Sequence, residues 1–223
     1  MGAFESLLMF LGSSVCHQLP ERSYFQDGIQ MPLCARCIGI HFGFILSTLF
    51  LLTGTRRFAS GFPSVRQLAV LGGIMSLFLV DAGLSYSGIS PSDNLRRTLS
   101  GLALGVPFPF FLFSVLNNAM YPGRNPIVVL ARPANWGWLA GLYALGAVAI
   151  LLASRSLPLF CAVSTIGVIG VFVFFSVAFS LILALAIENR HMSSSRVLLD
   201  ATMLAVSVLI VLAVVHSTLF PGI

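Results

Sequence analysis

Four side chains with sulfur or nitrogen donors form two short motifs near the start of the chain. Cys16 and His17 are adjacent, and Cys34 and Cys37 follow as a Cys-x-x-Cys pair. Thiolates and neutral imidazole are the preferred ligands of tetrahedral zinc, and a Cys-x-x-Cys turn can bring two sulfurs onto one ion. The two motifs therefore predict a Cys3His zinc site, formed when the loop between them folds back.

The histidine of this site has two candidates. Neighbouring side chains such as Cys16 and His17 tend to diverge, so one of them would support the ligands from outside the coordination sphere. His41 shares a helix face with Cys34 and Cys37, at positions i+7, i and i+3, and could replace His17. The other interpretation of His41 is a histidine hydrogen-bonded between helices.

The same thiols also fit redox chemistry. A Cys-x-x-Cys pair at a helix N-terminus can have a lowered thiol pKa, helped here by Arg36 and by the helix dipole. On an oxidising side of a membrane, Cys16 or Cys161 could resolve a mixed disulfide or form a structural bridge. Cys161 alone is more typical of a small apolar residue at a helix start. Metal binding and thiol–disulfide exchange therefore both stay open.

An acidic residue interrupts an apolar stretch. Asp81 would be costly inside a bilayer unless it is paired, and such residues tend to be functional. We expect its partner to be Arg36, Arg97 or the metal. Arg97 shares a helix face with Gly101 and can lean inward, whereas we expect Arg96 to anchor at lipid headgroups.

A metal beside Asp81, Arg36 and Arg97 would make a polar site that activates water or holds an anionic head group. Three cysteines with a histidine would instead indicate a closed structural zinc site. A transporter or binding module, in which Asp81 relays protons or pairs with a cationic substrate, is a further alternative.

A membrane-spanning bundle must position these residues. The chain has 223 residues, of which 57% are hydrophobic and 9% are charged, and its mean hydropathy is +0.98. A soluble domain has roughly 25% charged residues, so the bilayer must solvate most of this surface. The formal charge is +5, and all twelve basic residues are arginines scattered through short loops. That distribution is typical of topology and headgroup anchors, not of a nucleic-acid site.

Six stretches are long enough to cross a bilayer as helices, the one plausible structure for segments of this length. The predicted spans are residues 34–54, 67–88, 97–118, 136–153, 159–186 and 198–219. Residues 1–15 do not resemble a cleaved signal peptide. Their helical periodicity predicts a short amphipathic helix, in the interface or packed against the bundle. The expected fold is therefore an all-α polytopic bundle of about six transmembrane helices plus this N-terminal helix.

With six spans, the polar candidates fall at one membrane face, with Asp81 in the adjoining half of the second helix. The residues at that face are Cys16, Cys34, Cys37, Asn94, Arg97, Cys161 and His216. Loops one, three and five carry seven arginines against five elsewhere, and the positive-inside rule places those loops in the cytoplasm. The cysteine site then faces the extracytoplasmic side. Three glycine pairs at four-residue spacing predict close helix contacts: Gly39/Gly43, Gly101/Gly105 and Gly137/Gly141.

Several motifs follow one another in a distinctive order over residues 14–118. They are Cys-His-Gln, Arg-Ser, Leu-Cys-Ala-Arg-Cys-x-Gly-Ile, an intramembrane Asp and Asn-x-x-Arg-x-x-x-Gly-x-x-x-Gly. This order resembles the "domain of unknown function 2085" family, small prokaryotic membrane proteins without an established biochemical role. The resemblance implies a three-helix core over residues 34–118. The N-terminal helix and Cys-His loop (1–33) would precede that core, and a three-helix extension (119–223) would follow it.

The resemblance marks a site without naming an activity. The positions it carries over are Cys16, His17, Arg22, Ser23, Cys34, Arg36, Cys37, Gly39, Gly43, Asp81, Asn94 and Arg97. We predict zinc as the cofactor, held by Cys16, His17, Cys34 and Cys37. We predict Asp81, Arg36 and Arg97 as catalytic residues, and Arg22, Ser23 and Asn94 as substrate-binding residues. The family often has tyrosine at the position of His41, which weakens His41 as a ligand.

A prokaryotic membrane family implies a location in the plasma membrane of a bacterium or archaeon. The expected partners are the lipid bilayer and an anionic lipid or a small-molecule ligand, with no nucleic acid.

Overall fold

A computed structural model describes residues 2–120, 127–186 and 194–219, which fold into a helical bundle. The helices are α1 (Ala3–Gly12), α2 (Ala35–Leu51), α3 (Val65–Tyr86), α4 (Asn94–Gly105), α5 (Phe108–Met120), α6 (Pro133–Ala153), α7 (Leu157–Ala186) and α8 (Ser194–Leu219). Short 3-10 helices lie at Pro20–Arg22, Gly54–Phe58 and Val129–Ala131. The predicted all-α membrane bundle is confirmed.

Within the residues that the structure describes, five segments are long and apolar enough to cross a membrane: α3, α4 with α5, α6, α7 and α8. The remaining predicted span, residues 34–54, is the shorter helix α2 of 17 residues. At 1.5 Å per residue it is about 25 Å long, slightly less than the roughly 30 Å of a hydrocarbon core. Helices α4, α5, α6 and α7 pack around it. α2 is thus a central helix, enclosed mainly by protein.

The third predicted span is two helices joined at a proline. α4 ends at Gly105 and α5 begins at Phe108. Pro107 lies between them and Pro109 in the first turn of α5. Proline has no amide hydrogen, and its ring clashes with the carbonyl four residues earlier, so a continuous helix through this sequence is disfavoured.

Glycines allow α2 and α4 to pack backbone against backbone. A Cβ atom on Gly39 would lie 2.6 Å from the carbonyl oxygen of Thr98. A Cβ atom on Gly101 would overlap the carbonyl oxygen of Arg36. Because only hydrogen fits at these positions, the two predicted glycine pairs on α2 and α4 set the distance between the helices.

α7 approaches α2 in the same way, where a Cβ atom on Gly170 would overlap the carbonyl oxygen of His41. The third predicted pair behaves differently, because Gly137 and Gly141 on α6 face open space. One hydrophobic core runs through both halves of the chain. It includes Ile38, Leu102, Ile150, Val171 and Leu209.

The N-terminal segment forms a cap over one end of the bundle. α1 packs against α7 and α8 and buries Leu8, while Phe4 and Leu7 stay exposed on its other side. Between α1 and α2 the chain forms a β-hairpin, β1 (Phe25–Gln26) paired antiparallel with β2 (Ile29–Gln30). Its turn residues Asp27 and Gly28 both have positive φ, 49° and 79°. That is the type I′ turn favoured by Asp-Gly, and this hairpin was not predicted from the sequence.

Candidate metal centre and the adjoining cavity

The start of α2 positions two thiols, and the preceding loop adds a third. Cys34 directly precedes α2 in an extended conformation, and Cys37 lies in the first turn of the helix. Cys16 is buried, with 4% of its surface exposed. The Sγ atoms of Cys16, Cys34 and Cys37 all lie within 4.8 Å of one another. All four cysteines of the chain are free thiols. The predicted fold-back of the loop is therefore present.

Gln18 holds this loop in place. Its buried side chain donates from Nε2 to the carbonyl oxygens of Met9, at 2.7 Å, and Pro32, at 2.8 Å. The end of α1 is thereby joined to the segment before α2. Gln18 has φ of 52°, a left-handed conformation that is uncommon outside glycine. Gln18 belongs to the Cys-His-Gln motif, and no role was predicted for it from the sequence.

Backbone amides point at the buried sulfur. The Sγ atom of Cys16 accepts the N–H of Cys34 at 3.2 Å and the N–H of Gln18 at 3.4 Å. Hydrogen bonds that a sulfur accepts stabilise its negatively charged form. Thiolates, not thiols, are the metal ligands.

Hydrogen bonds among the three thiols also shift their pKa values. The pKa of Cys34 is lowered far below its ordinary value, chiefly because Cys34 accepts hydrogen bonds from the thiols of Cys16 and Cys37. The pKa of Cys16 is raised to about 11, chiefly by its hydrogen bond to Cys34 and by burial. One sulfur of the cluster therefore ionises readily, while another holds its proton until a cation displaces it.

The fourth predicted ligand, His17, is not among the clustered donor atoms. It is exposed, and its ring lies 6.1 Å from the ring of His216 on α8. The alternative, His41, is buried between α2 and α7, with its ring 5.6 Å from that of Phe174. Cys161 lines a separate small cavity beside α1. The structure thus brings together three of the four predicted ligands.

Three hydrogen bonds and two ion pairs hold Asp81. Its Oδ2 atom accepts a hydrogen bond from Nη2 of Arg36 at 2.6 Å and another from the hydroxyl of Ser100 at 2.8 Å. Its Oδ1 atom lies 2.7 Å from Nε of Arg96 and accepts the hydroxyl of Ser92 at 2.9 Å. Asp81 is 5% exposed and Arg36 is 8% exposed. The carboxylate is therefore buried and fully engaged.

Asp81 has two arginine partners, of which one was predicted and one was not. Arg36 forms the predicted ion pair, but Arg96, which we expected at the headgroups, takes the place assigned to Arg97. Arg96 and Ser100 are four residues apart, so they share the face of α4 that contacts α3. That spacing is the signal that could have identified Arg96.

A cavity of about 250 Å³ adjoins the sulfurs. Its lining includes the three clustered cysteines, His17, Arg22, Arg36, Tyr86 and Arg97. The guanidinium carbons of Arg22 and Arg36 lie 5.9 and 5.7 Å from the ring centre of Tyr86, at the end of α3. Tyr86 was not predicted, because nothing in its local sequence sets it apart from other helix-end tyrosines.

The other two predicted substrate-binding residues fasten the loop. The hydroxyl of Ser23 donates to the carbonyl of Leu19 at 3.0 Å, and Asn94 Nδ2 donates to the carbonyl of Ser23 at 3.1 Å. The Tyr24 hydroxyl donates to the carbonyl of Asn94 at 3.0 Å. These bonds attach the loop to the start of α4, while Arg22 lines the cavity.

The part of the chain that holds this site matches a known protein family. Residues 16–111 match the family described as "Predicted membrane protein (DUF2085)". An uncharacterized protein of Methanocaldococcus jannaschii is 27% identical over 109 residues, 49% of this chain and 68% of that protein. An uncharacterized protein of Methanothermobacter thermautotrophicus is 26% identical over 92 residues, 41% of this chain and 78% of the relative. No solved structure matches the chain.

The matched segment begins at Cys16 and contains every residue of the sulfur cluster and of the cavity wall named above. The predicted resemblance is thus confirmed: over residues 16–111 the chain is similar to the DUF2085 family of predicted membrane proteins.

Proposed function

We propose that this membrane protein binds a metal ion, zinc in the first place, with Cys16, Cys34 and Cys37 as ligands. The observation that supports the proposal is the mutual approach of three Sγ atoms within 4.8 Å. Zn–S bonds are about 2.3 Å long, so sulfurs around one tetrahedral zinc lie about 3.8 Å apart. Small side-chain rotations would bring the three thiols to that spacing.

Three sulfurs favour a metal over a disulfide. A disulfide joins two sulfurs, and the Cys-x-x-Cys pair alone would supply both. Here a third thiol, Cys16, is held on the pair by the buried side chain of Gln18 and by the N–H group of Cys34. The lowered pKa of Cys34 also fits a thiol–disulfide oxidoreductase, which is the second candidate function.

Three thiolates leave a fourth coordination position. His17 borders the same cavity and is the protein group proposed for that position. If a water or substrate occupied it instead, the centre would have the open position of a catalytic zinc site. Arg36 and Arg97 would then face the bound group across the cavity.

Asp81 has a different part in this proposal. Within the described residues, three hydrogen bonds and the ion pair with Arg96 engage both of its oxygens. A proton relay needs a carboxylate with a free acceptor, so the transporter alternative receives less support. We propose that Asp81 acts through Arg36 as a positioning residue.

We further propose that the protein lies in a prokaryotic plasma membrane with the metal centre on the extracytoplasmic face. The support is the arginine distribution, seven in loops one, three and five against five elsewhere in the sequence.

Metal content and thiol content, measured together, test the ligand set. The full-length protein is purified in detergent without chelator, its zinc is measured by inductively coupled plasma mass spectrometry, and its free thiols are titrated under denaturing conditions. We expect about one zinc per chain and four reduced cysteines. Cys16→Ser and Cys37→Ser should lose the metal, and Cys161→Ser should keep it.

Zinc that persists in both Cys16→Ser and Cys37→Ser would overturn the ligand set. A metal-free protein with a Cys34–Cys37 disulfide would support the thiol–disulfide oxidoreductase in place of the metal-binding protein. The fourth position is then assigned with the variant His17→Ala. Its zinc affinity is measured in competition with a chromophoric chelator. A large loss of affinity identifies His17 as the ligand, and an unchanged affinity identifies an open position.

A further inference from the structure

We infer that the cavity beside the sulfur cluster binds a phosphate group. Three guanidinium groups line it, and each comes from a different element: Arg22 from a 3-10 helix, Arg36 from α2 and Arg97 from α4. Planar guanidinium groups match phosphate oxygens in pairs of parallel hydrogen bonds. The inference goes beyond metal binding and depends on the arginines, not on the sulfurs.

The arginines that line this cavity are only partly balanced by carboxylates. Arg36 is balanced by Asp81. Arg22 lies 3.5 Å from Glu21, but both side chains are open to solvent, at 35% and 65% exposure, and such pairs contribute little. Within the described part of the chain, no carboxylate lies within ion-pair distance of Arg97. A bound anion would add negative charge beside Arg22 and Arg97.

Two arginines that line the cavity, Arg22 and Arg36, each have a buried Nε atom without a hydrogen-bond partner among the described residues. Arg36 is more than nine-tenths buried, yet its Nε atom has no hydrogen-bond partner among the described residues. Leaving a buried donor unsatisfied lowers stability, and a charged donor lowers it more. A ligand oxygen in the cavity that Arg36 lines would satisfy its Nε atom. Arg36 is thus oriented by Asp81 through one nitrogen while another remains for a ligand.

The shape of the cavity also suits a phosphate group. Its volume of about 250 Å³ is several times the roughly 30 Å³ of one water, so a phosphate and a short attached group would fit. The ring of Tyr86, flanked by Arg22 and Arg36, would form one wall. The phosphate could belong to a lipid head group or to a water-soluble compound, because the cavity lies at the ends of the spanning helices.

Calorimetric titration of the full-length protein in detergent separates these sources. The probes are dihexanoyl phosphatidic acid, inorganic phosphate and, as a zwitterionic control, dihexanoyl phosphatidylcholine. We expect saturable 1:1 binding of phosphatidic acid, of phosphate or of both, and none of phosphatidylcholine. Phosphatidic acid alone indicates a lipid head group, and phosphate binding of equal strength indicates a soluble ligand.

Arg22→Gln and Arg97→Gln should each weaken binding at least tenfold. Arg155→Gln, at the exposed turn between α6 and α7, is the matched control and should leave it unchanged. Arg36 is left intact, because its loss would also unpair Asp81. Size-exclusion profiles confirm that each variant is folded.

No binding of phosphatidic acid or of phosphate by the natural chain would overturn the inference. So would binding that is unchanged in both Arg22→Gln and Arg97→Gln. The titration is repeated on Cys37→Ser, which removes a proposed metal ligand. Phosphate binding that persists in Cys37→Ser shows that the phosphate site does not need the metal. A natural chain that binds phosphate but holds no zinc leaves the inference standing and refutes the metal proposal, whereas a zinc-loaded natural chain that binds neither probe gives the reverse result.

Discussion

Arg36 and Asp81 form a buried ion pair that joins α2 to α3, with Nη2 of the arginine 2.6 Å from Oδ2 of the aspartate. α3 otherwise presents its apolar side chains outward, and its buried residues are Leu71 and Asp81. The polar contact therefore determines where α3 attaches to the bundle. Because Arg36 lies between Cys34 and Cys37, it also connects that attachment to the sulfur cluster.

Asp81→Asn should destabilise the protein strongly. It removes two ion pairs and leaves the Arg36 charge buried without compensation, which costs about 3–5 kcal/mol. Thermal unfolding in detergent, followed by circular dichroism, measures the effect. Asp93→Asn is the matched control, since Asp93 caps α4 through its side chain and asparagine caps equally well.

The paired replacement Arg36→Met with Asp81→Leu should recover most of the stability lost in Asp81→Asn, because two apolar side chains would fill the space without a buried charge. Equal melting shifts for Asp81→Asn and Asp93→Asn would show that the buried pair does not hold α3.

Gly101→Ala and Gly141→Ala should change stability in opposite directions. The added methyl group on Gly101 overlaps the backbone of Arg36, so α2 and α4 must separate, at a cost of about 1–3 kcal/mol or more. The methyl group on Gly141 meets open space, and alanine is the better helix former by up to about 1 kcal/mol. Melting temperatures of the two variants under the same detergent conditions give the comparison; a stabilised Gly101→Ala would contradict the close packing.

Gln18→Ala should weaken zinc binding more than it weakens the fold. Its side chain positions the loop that carries Cys16, and losing such support around a metal site typically lowers affinity about 10- to 100-fold. Chelator competition measures affinity, and thermal unfolding of the metal-free protein measures the fold. Gln26→Ala in the nearby hairpin serves as the control. Equal losses of zinc affinity in Gln18→Ala and Gln26→Ala would show that Gln18 has no special part in positioning Cys16.

The orientation of the chain can be tested with two engineered cysteines in a Cys161→Ser background, whose own labelling at the three cluster thiols is subtracted. Asp27→Cys lies at the exposed hairpin turn next to the cluster, and Arg66→Cys lies exposed at the start of α3, the opposite end of that helix from Tyr86. A membrane-impermeant maleimide on intact cells should label the first, and the second should react only after permeabilisation. The opposite pattern would place the cysteine site in the cytoplasm and leave its chemistry unaffected.

The spans and the sulfur cluster could be predicted because each depends on a strong local rule. Bilayer thickness fixes the length of an apolar helix, and a Cys-His pair followed by Cys-x-x-Cys is typical of thiols that meet in the folded chain. Pro107 and Pro109 stood within a predicted span, and the break between α4 and α5 follows from the missing amide hydrogen. Gly101 was predicted to line a helix contact, and it does so.

The errors arise where the position of a neighbouring helix decides the outcome. Arg96 and Arg97 are adjacent and differ by about 100° around α4, so sequence alone could not show which one faces α3. Arg96 reaches Asp81, and Arg97 reaches the cavity. Tyr86 and Gln18 were missed for a related reason: their roles depend on contacts with segments remote in sequence.

The enclosure of α2 has a consequence for how the site experiences its surroundings. Lipids of different chain length act on the outer helices, which can tilt to match a thinner or thicker membrane. The helix that begins at the thiols is surrounded near its start by protein backbone and side chains. The geometry of the sulfur cluster should therefore stay the same when the lipid composition changes with growth temperature or stress.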